Sequence, residues 1–157
     1  MKPSYKLKFS ERFVGAILNK TQSRAFAKPK KQDDIKTGSQ IGLIQANEDG
    51  SEILMGTAPV SEIHTATLDK FGMTIHYTDR NDYRVPNNQS IATLFGFQNF
   101  EQMIAFFEKS SDFKDGKMTA PVICWDATQL EAADPQDPAS ILKKATPKKD
   151  QPKKDGQ

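Results

Sequence analysis

Apolar and polar residues alternate with a period of two in several stretches of this chain, and that pattern constrains the fold more than any other feature. Tyr5, Leu7 and Phe9 alternate with Lys6 and Lys8, and Met73, Ile75 and Tyr77 repeat the pattern. Each run predicts a strand with one buried face. Lys36-Thr37-Gly38 reads as a turn into a further strand carrying Ile41, Leu43 and Ile44, which Asn47 to Gly50 reverse into a partner over Glu52–His64. Pro59 has no N–H to give a ladder, so an edge position, a bulge or a bend is expected within that partner. Tyr83-Arg84-Val85 forms a brief strand behind the turn residues Asp79 to Asp82. Val122-Ile123-Cys124-Trp125 suits a strand covered on both faces.

Helical signals are fewer. The Ser10 hydroxyl is placed to cap a helix in which Phe13, Val14, Ile17 and Leu18 share one face and which ends near Asn19. A short turn of helix from Gln89 to Phe95 stops at Gly96. Asn99 then caps a better helix whose stripe of Phe100, Met103, Ile104 and Phe107 reads as core and not as a ligand box. No strand–helix–strand rhythm and no glycine-rich phosphate loop occur, which argues against a nucleotide-cofactor enzyme, and no cofactor is expected. The elements predict an α+β fold, a small mixed β-barrel with two or three flanking helices. At 157 residues the chain fits one domain, assigned to 1–126. Residues 127–157 read as a disordered tail rich in proline and lysine, with a short helix over Ala139–Lys144 as an alternative.

Charge placement points to function. The net charge is only +2, so any preference for a polyanion depends on where the charges sit. Between Lys20 and Gly38, six cations (Lys20, Arg24, Lys28, Lys30, Lys31 and Lys36) face only Asp33 and Asp34. Such a cluster raises the local anion concentration, and phosphate is the anion that rewards it; the alternative is a solvated basic loop. Lys20, just past a helix carboxyl end, suits an anion contact, with a plain helix-end lysine or a nucleophile as alternatives. Arg24 has a planar fork for phosphate or a base, or for an ion pair with Asp33 or Asp34. Thr21 and Ser23 carry hydroxyls for a phosphate or for backbone groups in the turn. Tyr83, near Arg80 and Arg84, is the aromatic residue expected to be exposed for base stacking, while Trp125 is expected in the core. His64 and His76 lack the spacing of a metal site, so no metal is implied. The single cysteine, Cys124, reads as an inert packed thiol in a reducing, cytoplasmic setting, and no segment reaches the length of a membrane span.

Read in order, Leu7-Lys8-Phe9, Arg12-Phe13, Ile17-Leu18, Lys20-Thr21-Gln22-Ser23-Arg24, Lys36-Thr37-Gly38, Gly96-Phe97, Phe100-Glu101-Gln102-Met103, Phe106-Phe107 and Val122-Ile123-Cys124-Trp125 resemble the ASCH domain. That family is a branch of the PUA-like β-barrel superfamily, and the likeness is to small bacterial and phage members over residues 5–126. The resemblance implies a cleft beside the first helix and an association with RNA or modified nucleosides. Some members resemble amidohydrolases that remove the acetyl group of acetylated cytidine through a lysine, a threonine and a glutamate, and another is a ribonuclease. By position the lysine falls on Lys20, the threonine on Ser23 and the glutamate on Phe95, which cannot act as a base.

These readings favour a binding module, without catalysis, for RNA, single-stranded nucleic acid or a modified nucleotide, held by Lys20, Thr21, Ser23, Arg24, Lys28, Lys30, Lys31, Lys36 and Tyr83. The alternatives are a hydrolase that uses Lys20 and Ser23, or a phage-like adaptor for a host protein.

Overall fold

The first alternating run forms strand β1 (Tyr5–Phe9), with Leu7 and Phe9 buried. A 3-10 turn over Glu11–Phe13 leads into helix α1 (Val14–Leu18). Contrary to expectation, the Ser10 hydroxyl makes no capping bond. The tighter opening turn has its first bond already in place, with the Phe13 N–H donating to the Ser10 carbonyl at 3.1 Å. In this computed structural model residues 5–27, 35–134 and 137–144 are described. Lys28, Lys30, Lys31, Asp33 and Asp34 lie outside them.

The segment read as a basic loop contains a strand, β2 (Arg24–Phe26). After it come β3 (Gln40–Ala46), β4 (Glu52–Asp69), β5 (Gly72–His76) and β6 (Tyr83–Arg84). Helices α2 (Asn88–Leu94) and α3 (Phe100–Glu108) precede β7 (Lys117–Trp125). The chain beyond Trp125 does not leave the fold at once. Asp126 caps a 3-10 turn, and β8 (Glu131–Ala132) and β9 (Ile141–Lys143) both return to pair with β4. Where a short helix over Ala139–Lys144 was an alternative, a single 3-10 turn over Pro138–Ser140 runs straight into β9.

The architecture is α+β, a sheet of nine strands with three helices among the described residues. β4 is its spine. Its first half pairs with β3, which runs parallel to β1, and with β8 and β9 on the other side. Its second half lies between β7 and β5, extending the order β2–β7–β4–β5–β6. The halves meet at Pro59, whose carbonyl accepts the Asp126 N–H at 3.0 Å, and the β4–β7 register shifts between Val60 and Glu62. The expected irregularity is therefore a bulge that turns a central strand from one half of the sheet to the other. No ladder among the described residues joins β1 to β2 or β6, so the sheet stays open where a closed barrel was expected. With only two residues, β6 offers an edge too short to complete a ring.

The face carrying Phe9 is met by the turn before α1, where Phe13 stands edge-on to Phe9 at 6.1 Å. Asn99 caps α3 by accepting the Gln102 N–H at 2.9 Å, and Met103 and Ile104 are buried. Phe13 meets Phe97 edge-on at 5.5 Å, and Phe9 meets Trp125 at 6.0 Å. Both Phe97 and Trp125 belong to the core and are closed to base stacking. The stripe on α3 is core as expected, with Phe100 and Phe107 packed against the buried residues, while Phe106, off the stripe, is partly exposed and with Phe107 borders an aromatic cavity of ≈ 300 Å³.

Candidate functional site

Helix α1 is short, and the way it ends builds the site. Asn19 is its C-cap and Lys20 follows in the left-handed region, at φ 67°. The turn is fixed by three donors on one carbonyl: the N–H groups of Thr21 and Gln22 reach the Ala16 oxygen at 3.0 Å, and the Thr21 hydroxyl reaches it at 3.1 Å. Thr21 thus takes the turn role. Ser23 then donates its N–H to the Leu94 carbonyl at the end of α2 and accepts from the Trp125 N–H, so β2 starts pinned between α2 and β7.

This geometry gathers Lys20, Thr21, Ser23 and Arg24 along one open groove of ≈ 410 Å³. Lys20 and Arg24 make no ion pair among the described residues. The groove is also lined by two carboxylates, Glu62 next to the β4 bulge and Asp126 after β7, and by Cys124 on β7. Arg24, Cys124 and Glu62 form one row across β2, β7 and β4, since Cys124 pairs in register with both others. The groove therefore carries two cations and two anions.

The two carboxylates differ. Asp126 accepts the N–H and hydroxyl of Thr128 and the Gln129 amide, and the Thr128 hydroxyl chiefly holds its carboxyl below the ordinary value. Its acceptor capacity is spent on its own turn. Among the described residues Glu62 reaches only His64, with Oε2 3.1 Å from Nδ1, and its side chain is 42% exposed. Burial pushes the Cys124 thiol up to about 12 and lowers His64, the latter against the opposing pull of Glu62.

The other expected residues are elsewhere. Lys36 is exposed in the turn before β3, whose Gly38 N–H bonds the Val60 carbonyl, and it does not line the groove. Tyr83 is exposed as expected but lies on β6, at the sheet edge beyond β5, because β6 pairs only with β5. Lys28, Lys30 and Lys31 are outside the described residues. His76 is satisfied between Thr67 and Asp82, whereas His64 has one ring nitrogen without a partner. Glu62 was not singled out from the sequence. In a strand it reads as an ordinary outward-facing acid, and only the β4–β7 register brings it opposite Arg24. Among the described residues no helix is long and apolar enough to cross a membrane. No family model, no characterised protein and no solved structure matches this chain.

Proposed function

We propose that the groove between α1, β2 and β4 binds one nucleotide of a single-stranded nucleic acid, RNA above all, or a free modified nucleotide, and that it does so without catalysis. The observation that carries this reading is the convergence of Lys20, Ser23 and Arg24 on one groove, with Glu62 facing them. A volume of ≈ 410 Å³ suits one nucleoside, not a length of duplex. The guanidinium and ammonium supply donors for phosphate or a base carbonyl, and a carboxylate accepts from an exocyclic amine. Balanced charge inside the groove makes recognition of a base edge as important as attraction to phosphate. The same reading places the fold near the PUA-like proteins and their ASCH branch, on the strength of the motif order from Leu7 to Trp125, and the protein in the cytoplasm, on the strength of its single packed cysteine.

A hydrolase is the second reading, and Glu62 is the observation that favours it. With Phe95 in the glutamate position a base was missing, and Glu62 supplies a carboxylate in the groove that holds Lys20 and Ser23. Two assays separate the readings. Fluorescence anisotropy with short single-stranded RNA is expected to give saturable binding that Arg24→Gln weakens at least tenfold, with substrate recovered intact. Turnover of acetylated cytidine or of RNA, lost in both Lys20→Ala and Glu62→Gln, would instead establish the hydrolase. A protein captured from nuclease-treated lysate with neither activity would point to an adaptor for a host protein.

A further inference from the structure

Nothing in the spacing of Glu62, His64 and Cys124 suggests a common site, yet the β4–β7 ladder brings them together. Glu62 pairs in register with Cys124, and His64 lies two residues along β4, on the same face as Glu62. One ligand atom from each lies within 4.8 Å of the others, and Glu62 Oε2 is 3.1 Å from His64 Nδ1. Zinc bonds of about 2.0–2.3 Å in tetrahedral geometry place ligand atoms about 3.3–3.7 Å apart. The cluster is thus within small side-chain movements of a coordination shell. His64 is buried, its side chain only 3% exposed, and among the described residues its ring is held through Nδ1 by Glu62, the group it would share an ion with.

The geometry points to a metal site in which Glu62, His64 and Cys124 hold one zinc-like divalent ion in the wall of the groove. One thiolate sulfur, one imidazole nitrogen and one carboxylate oxygen make a donor set that suits zinc and disfavours magnesium or calcium. Binding converts the Cys124 thiol to a metal-bound thiolate and releases its proton to solvent, while neutral His64 and ionised Glu62 bind without losing one. Thiolate and carboxylate cancel the two positive charges of the ion. Arg24, in register with Cys124 on the β2 side, favours the thiolate and meets no net added charge. Three protein ligands leave a fourth position; Glu62 and Cys124 line the groove, while Glu62 and His64 line the neighbouring cavity beside Tyr77 and Arg80. This inference stands apart from nucleotide binding, and either can fail alone.

Cobalt tests it directly. Cys124 is the single cysteine of the chain, so a thiolate-to-cobalt charge-transfer band in the near ultraviolet reports this residue alone. The full chain titrated with Co²⁺ is expected to show that band at one ion per chain, lose it on adding Zn²⁺, and release about one proton per ion in weak buffer. Zinc at roughly 100 times its dissociation constant should raise the melting temperature by about 5–10 °C. Cys124→Ser is expected to abolish the band, and Glu62→Gln, at a half-exposed side chain that the fold does not need, to weaken Co²⁺ binding about tenfold. Absence of the band with millimolar Co²⁺, or equal Co²⁺ affinity in Glu62→Gln, would overturn the site. If Cys124→Ser does not fold, the Glu62→Gln result decides.

Discussion

Lys20 holds φ 67°, where a residue other than glycine is strained by roughly 1–2 kcal/mol, and the three donors on the Ala16 carbonyl keep it there. Strain and side-chain role are therefore separable. Lys20→Gly is expected to leave stability unchanged or raise it by about 0–1 kcal/mol in chemical denaturation, while weakening single-strand binding at least tenfold. Parallel losses of stability and binding would show that the lysine serves the turn and not a ligand. Cys124 gives a second expectation at this scale. With its thiol pushed up to about 12, roughly one part in 10⁴ is thiolate at pH 8. In metal-free protein a disulfide reagent should label Cys124 only as fast as the chain unfolds, and rapid stoichiometric labelling of native protein would contradict its burial.

At the level of elements, β4 decides most of the architecture, and it was only half legible. The hairpin partner over Glu52–His64 and Pro59 were readable as a strand with an irregularity, but the pattern does not say that the strand runs on to Asp69 and serves two halves of a sheet. Period-two alternation marks one buried face, whereas partners on both edges leave no trace in the order of side chains. β2, β8 and β9 were missed for a related reason. Each is two or three residues long and held by its partner, so local propensity carries little of its stability. The return of β8 to β4 can be tested at Gly56, where an added Cβ would stand 2.7 Å from the Glu131 carbonyl oxygen. Gly56→Ala is expected to cost about 1–3 kcal/mol and to speed amide exchange selectively over residues 130–134 and 137–143. His64 sets a pH dependence on the same strand. Burial holds its folded pKa below the ordinary value of 6.5. Between the folded value and 6.5 the unfolded chain binds more protons, so stability rises with pH there and falls on acidification. Melting temperatures measured from pH 7 toward pH 5 should decline less steeply in His64→Gln than in the parent, and identical slopes would contradict this.

Across the whole molecule the net charge of +2 is divided among surfaces that do different things. The turn after α1 was legible as a site because its cations and hydroxyls are consecutive in sequence. Glu62 and Asp126 were not, because they reach it only through the pairing of β7 with β4 and with β2. That difference changes the expected salt response. Contact through Lys20 and Arg24 alone corresponds to a slope of log affinity against log salt of about −1 to −2, whereas engagement of all six basic residues from Lys20 to Lys36 would steepen it to about −4. The central claim is that the groove itself grips a single nucleotide. Calorimetric titration of a nucleoside monophosphate series and of short single-stranded RNA at low salt, into the parent and into Arg24→Gln, tests it most directly. The expected result is one saturable site per chain with a slope of about −1 to −2 and at least tenfold weaker binding in Arg24→Gln. Saturable binding unchanged by Arg24→Gln, or no binding at low salt, would contradict it.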